Sequence, residues 1–185
     1  MIQKGQLLRG HHPPHLFVEE NWYMISAHTV GEQFLLRSRE AKMLVQETLK
    51  QLIMRFEVPL RAWVVMDNHY HLLLKPPSGK ITLSRFIGQL HGSTAFQINR
   101  LEQRPKRQVW HNYWDTCTRT DQDFWTRFNY IHNNPVKHGY VKRPEDWEFS
   151  SYHYYLRTKG QEWLQDMFLS YPIVDFSDGR DSFDI

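Results

Sequence analysis

One cysteine, Cys117, stands in the 185-residue chain, so no intramolecular disulfide can form and a cysteine-rich zinc site is excluded. Any protein-bound metal must use imidazole, carboxylate or amide ligands, and 11 histidines make such a site feasible. No apolar run approaches the roughly 20 residues that span a bilayer. The stretch from Met1 to Pro14 is polar, unlike a secretory leader. A cytoplasmic protein with no membrane partner is expected. Internal repeats and low-complexity segments are also missing. With 41% hydrophobic and 23% charged residues, the chain has the composition of a protein that builds a core rather than a disordered one. The length suits one domain. Aromatic residues are plentiful at 15% and can fill a core, stack on bases or line an interface.

Net charge is only +3, but it is unevenly spread. Residues 161–185 hold six acids against the single cation Arg180, a net −5, which leaves +8 on residues 1–160. These two stretches are expected to be a single domain, 1–160, and an acidic tail, 161–185. A basic body suits a phosphate-rich partner, and the tail is either a solvated end or an intramolecular cover for that surface.

Trp22 to Val30 (WYMISAHTV) is rich in aromatic and β-branched residues and reads as a strand. From Arg39, apolar residues recur at spacings of three and four through Leu44, Leu49, Ile53 and Phe56, a helix that ends before Pro59. Leu60 to Met66 and His69 to Lys75 read as two strands joined at Asp67-Asn68. A second helix is predicted from Leu83 to Leu101, and a last strand in Val109 to Thr118. The resulting order, β-α-β-β-α-β, predicts an α+β fold of ferredoxin-like type: an antiparallel sheet with two helices on one face and the other face free for a ligand. A further helix begins near Thr120, where Thr120 and Asp123 have capping-box spacing, and is expected to stop at Asn133 or Asn134 because Pro135 follows.

The most specific local feature is His69-Tyr70-His71. On a strand, residues i and i+2 share a face, so the two imidazoles can meet one cation and leave coordination positions open for a phosphate oxygen. Tyr130 and Asn134 lie one helical turn apart on the polar side of the last helix, which predicts a displayed phenol. A tyrosine oxygen can attack a phosphodiester, and the Asn134 amide can supply a third metal ligand. Against this stand the ordinary readings, a surface tyrosine and a helix cap. His11, His12 and His15 form a cluster beside two prolines, consistent with a flexible arm. Arg100, Arg104, Lys106, Arg107, Lys137, Lys142 and Arg143 are candidate phosphate contacts, each weighed against a solvated surface charge. Trp110, Trp114 and Trp147 are candidates for stacking on bases.

The stretches WVVMDNHYHLLLKPP and VWHNYWDTCTRTDQDFWTRFNYIHNNPVKHGYVKRPEDWEFSSYHYYLR resemble the tyrosine transposases associated with bacterial repetitive extragenic palindromes. These belong to the HUH superfamily and are relatives of the single-strand transposases of small insertion sequences. The likeness runs from about Trp22 to Trp163 and is tight over Arg61 to Lys75 and Val109 to Arg157. It implies a metal site at His69 and His71, a nucleophile at Tyr130, Mg²⁺ or Mn²⁺, and a single-stranded or hairpin DNA substrate held through a 5′-phosphotyrosine. Asn134 stands where related enzymes commonly use Gln, and Asp67 where proline is usual. The protein is expected to act as a monomer or a homodimer. Two other readings remain open at the level of sequence: a non-catalytic nucleic-acid-binding protein on the same fold, and a metal-dependent phosphodiesterase that uses water.

Overall fold

The computed structural model describes residues 21–77 and 82–176. The cluster His11, His12 and His15 lies outside them. Four strands, β1 (Tyr23–Thr29), β2 (Leu60–Val65), β3 (His69–Leu74) and β4 (Trp110–Cys117), form one antiparallel sheet in the order β2-β3-β1-β4. Helices α1 (Arg39–Phe56) and α2 (Leu83–Leu101) connect them in the ferredoxin-like order. Three more helices follow: α3 (Asp121–Lys137), α4 (Tyr152–Lys159) and α5 (Gln161–Ser170). The element order and the α+β class are as the sequence predicts.

The pleat sorts the strands into two cores. Tyr23, Ile25 and Ala27 of β1 and Tyr70, Leu72 and Leu74 of β3 pack with Val45, Phe86 and Leu90 of α1 and α2. The alternate residues, Met24 and Leu73 with Ala62 and Val64 of β2, pack with Phe128 and Ile131 of α3, Tyr155 of α4 and Leu164 of α5. The expected free sheet face is therefore covered over β2 and β3. The reason is legible in β3, whose six residues HYHLLL are all buried: a strand apolar on both faces needs a layer on each. Packing also continues past residue 160, where acidity alone places the start of a tail. Gln161–Ser170 is helical, and Leu164 is completely buried.

Two local devices aim the strand pair. The turn before β3 is anchored by a buried ion pair, Lys42 Nζ to Asp67 Oδ1 at 2.6 Å, with the ammonium also donating to the Arg37 carbonyl. Rings of Trp147 and Phe149 lie 5.4 and 5.8 Å from that ammonium. Backbone amides of Leu36 and Thr29 donate to the carbonyls of Asp67 and Asn68, both at 2.8 Å. Asp67 is thus a structural partner of α1 rather than a passive turn residue. Tyr70, between the two histidines, shares a hydrogen bond of 2.9 Å with His91 Nε2 on α2, and His91 stacks on Trp110 at 4.7 Å.

Helix α3 does not stop before Pro135. Its N-terminus is capped by Thr120 Oγ1, which accepts from the Asp123 amide at 3.1 Å, and Asp123 Oδ2 accepts from the Arg119 amide. Pro135 sits in the final turn, where the absent N–H removes one bond, while His138 and Tyr140 amides still close on the carbonyls of Asn134 and Pro135, both at 3.0 Å. Continuing the helix brings Lys137 and His138 onto the same side as Tyr130 and Asn134.

Two measurements follow. Removing one member of a buried ion pair strands the other, so Asp67→Ala should lower unfolding stability by about 3 kcal/mol, whereas a loss below about 1 kcal/mol would show that the pair does not anchor the turn. Burial holds His91 at about 4 and His132, which pairs with Ser151 Oγ at 2.7 Å, at about 3, both below the ordinary 6.5. Both stay neutral in the fold and take a proton once unfolded near 6.5. Their contribution is complete above that pH and is lost progressively as pH falls toward 4, by about 2 kcal/mol each between pH 7 and pH 5. Urea titrations across that range should show uptake of at least two protons on unfolding; an uptake below one would contradict this assignment.

Candidate active site

Register places the site. His28 of β1 lies directly opposite His69 of β3, and Ser26 opposite His71. All four side chains point to the α3 face. His69 and His71 are buried, their rings 5.0 Å apart, and His28 stacks on His69 at 5.0 Å. From α3, Asn134 Oδ1 reaches His69 Nε2 at 2.9 Å, and the Tyr130 ring meets the edge of His71 at 5.5 Å. His138 comes to 5.1 Å from His69. Residues separated by some 60 positions thus form one cluster, including all four that the sequence nominates: His69, His71, Tyr130 and Asn134.

The hydrogen bonds assign the protons. Asn68 Nδ2 donates to the Glu32 carbonyl at 3.3 Å, which turns Asn68 Oδ1 toward His69 Nδ1 at 2.7 Å. Nδ1 is therefore the donor on His69, and Nε2 faces Asn134 with a lone pair. His71 Nδ1 lies 2.8 Å from Ser26 Oγ, while His71 Nε2 is buried without a hydrogen-bond partner, as is Asn134 Nδ2. Burial pushes both imidazoles well below their ordinary value of 6.5, and the neighbouring histidines add to the shift. Two neutral rings side by side, with an amide oxygen against one and an unpartnered Nε2 on the other, suit a divalent cation. Among the described residues no group of three His, Cys, Asp or Glu is placed to hold a metal, so a three-ligand site here depends on the amide of Asn134. With a cation bound, His69 Nε2, His71 Nε2 and Asn134 Oδ1 would be its ligands, and Ser26 and Asn68 would fix the ring orientations.

Tyr130 is not displayed: only 1% of it is exposed. The polar appearance of its side of α3 is misleading because Thr126, Arg127, Tyr130 and Asn134 all pack inward, wedged between the sheet and the chain's C-terminal segment. Lys137 Nζ lies 3.5 Å from the phenol oxygen and 5.1 Å from the ring centroid, and is paired with Asp175 at 2.8 Å. Phe176 sets its ring edge-on to Tyr130 at 5.4 Å, held by the Arg127 guanidinium 4.3 Å from its centroid. The acidic segment therefore reaches the site as an intramolecular cover, through one carboxylate and one ring.

The nominated DNA contacts divide. Trp110 is buried and donates its Nε1 hydrogen to Thr94, so its ring serves the core and does not stack on bases. Arg107 bonds Asn99 and Glu102, Arg143 pairs with Asp146 and Glu145, and Lys137 belongs to the Tyr130 cluster. Arg100, Arg104, Lys106 and Lys142 are exposed. The sequence reading missed Ser26, His28 and His138. The pattern S-x-H in β1 matches H-x-H in β3, but only the register shows that the two meet.

A buried tyrosine thus stands beside paired histidines on a central strand of a ferredoxin-like sheet. A sequence profile described as "Transposase IS200 like" matches residues 26–134, and the chain belongs to that family. It is a transposase, with an enzymatic role in DNA processing. The REP-associated tyrosine transposase of Escherichia coli (strain K12) is 27% identical over 125 residues, 64% of this chain and 72% of the relative. A relative from Haemophilus influenzae is 32% identical over 100 residues, 48% of this chain and 56% of the relative. A REP-associated tyrosine transposase solved bound to a REP hairpin shares the fold, with a TM-score of 0.64 at 20% identity over 82% of this chain and 88% of that one. No helix among the described residues is long and apolar enough to cross a membrane.

Because Phe176 covers the phenol, Phe176→Ala should open Tyr130 to small reagents. Nitration by tetranitromethane, followed by peptide mass analysis, should rise several-fold at Tyr130 and stay level at Tyr140; equal reactivity in native and variant protein would show that the ring is no cover.

Proposed function

We propose that this transposase is a metal-dependent single-strand endonuclease and strand transferase acting through Tyr130 on hairpin-forming repeat DNA. The carrying observation is the convergence of the Tyr130 phenol, Lys137 and the neutral His69, His71 and Asn134 set in one buried cluster. The names of the relatives support the choice of substrate, since one of them was solved on a REP hairpin.

Tyr130 gives up its phenolic proton to water, its oxygen bonds the phosphorus, and the P–O3′ bond breaks. The departing 3′-oxygen takes a proton to become a hydroxyl, and the 5′-phosphate stays on the tyrosine. Attack by a second 3′-hydroxyl reverses the step and rejoins the strand, so the bond energy is conserved. Lys137 stabilises negative charge on the phenol oxygen as it attacks. Mg²⁺ or Mn²⁺ held by His69, His71 and Asn134 would supply positive charge to the scissile phosphate. Asn68 keeps His69 in the tautomer that offers Nε2, and Ser26 holds the orientation of the His71 ring. Every residue named comes from one chain, so the chemistry needs no second copy.

Mixing the native protein with Mn²⁺ and labelled single-stranded hairpins should give a covalent protein–DNA band on a denaturing gel. Tyr130→Phe should abolish the band while hairpin binding persists. His69→Ala and His71→Ala should lower it on the order of a hundredfold, and Ser26→Ala should weaken Mn²⁺ affinity about tenfold. Cleavage without the band would favour attack by water. Binding with neither, across a hairpin pool that includes the repeats flanking the gene, would favour a non-catalytic binder.

A further inference from the structure

On the outer side of α2, Phe96 is 68% exposed, an unusual position for a large ring in mid-helix. It borders a groove of about 530 Å³ whose lining includes Ala95 and Pro105. The charged residues at that groove are Arg100, one turn beyond Phe96, and Lys106. No acid lines it.

The loop that closes the groove is both strained and tightly tied. Gln103 and Lys106 adopt left-handed backbone conformations, φ +54° and +65°, which side chains other than glycine and asparagine avoid. Four bonds hold the loop there. The Arg104 amide donates to the Asn99 carbonyl at 2.8 Å, Asn99 Nδ2 donates to the Arg107 carbonyl at 2.7 Å, Arg107 Nε donates to Asn99 Oδ1 at 3.1 Å, and Arg107 pairs with Glu102 at 2.7 Å. Arg107 and Glu102 are thus spent on fixing the loop, while Arg100 and Lys106 remain at the rim. Two strained residues in one short loop need a surrounding structure that over-determines them, and here it shapes a groove between an exposed ring and two cations.

We propose that this groove binds an unpaired nucleotide of the DNA substrate, its base stacked on Phe96 and its phosphates set against Arg100 and Lys106. The inference rests on the DNA-processing reading above and adds to it a gripping site built on α2, on the opposite side of the sheet from Tyr130. An aromatic face beside fixed cations with no acid among them is the chemistry that single strands select, because every base offers a π-face and every linkage a negative charge. The loop also runs back toward the catalytic end of the sheet: the Val30 amide, two residues past His28, donates to the Val109 carbonyl at 2.9 Å.

The test uses two labelled hairpins with one stem, one carrying single-stranded arms and the other closed without them. Phe96→Ala should weaken binding of the armed hairpin roughly tenfold and leave the armless one unchanged, and Phe96→Trp should restore it. Arg100→Ala should lower the slope of log affinity against log salt by about one, which Phe96→Ala should not. Phe96 and Arg100 are exposed, so the variants should fold as the native chain does, which circular dichroism checks. Equal loss on both hairpins, no loss on either, or a change in sedimentation of the DNA-free protein with Phe96→Ala would overturn the groove proposal while leaving the Tyr130 reading intact. Failure of the native protein to bind either hairpin would overturn both.

Discussion

Strand β3 is buried on both faces, and the arrangement around Tyr130 depends on it. A strand with a period of two must send alternate side chains to opposite layers, so a fully buried HYHLLL commits Tyr70 to the layer of α1 and α2 and both histidines to the layer of α3. Each layer then locks the other. The Tyr70 bond to His91 and the stack on Trp110 fix the strand's rotation from behind, and the ion pair of Lys42 with Asp67 fixes where it starts. With rotation and start both set, the imidazoles have little freedom left. Burial that keeps them neutral also keeps their lone pairs available, so the interaction that stabilises the sheet is the one that prepares the site.

Helix α3 completes the site by crossing the same strand. Its turn at Pro135 is the place where a local rule and the tertiary structure disagree. Proline in the last turn costs one hydrogen bond, and in return the helix carries Lys137 to the phenol and His138 to His69. The acidic C-terminal segment closes over this arrangement with one ring and one carboxylate. Asp175 pairs with the Lys137 ammonium, so the charge beside the phenol is met by the segment's own carboxylate.

Much of this was legible in the sequence. The element order, the hairpin at Asp67-Asn68, the span of α2 and the cap at Thr120 follow from periodicity and turn chemistry; spacing nominates His69 with His71 and Tyr130 with Asn134, and the family resemblance is what joins the two pairs into one site. Three things were not. Burial of Tyr130 escaped because the polarity of Thr126, Arg127 and Asn134 suggests an outward face, whereas Asn134 meets His69 of the sheet and Arg127 reaches Asp123, Met24 and Phe176. Ser26 and His28 escaped because strand register is a property of two segments at once. Trp110 reads as a base-stacking ring because an aromatic residue in a basic region looks the same in sequence whether it packs against His91 or stands in solvent.

The central claim is that sheet and helix converge on one cation. Crystals of the native chain soaked in Mn²⁺ and measured near the manganese absorption edge test it most directly. The expected result is an anomalous peak within bonding distance of His69 Nε2, His71 Nε2 and Asn134 Oδ1, absent in crystals of His71→Ala. A peak confined to other histidines, or none at this cluster at saturating Mn²⁺, would contradict it.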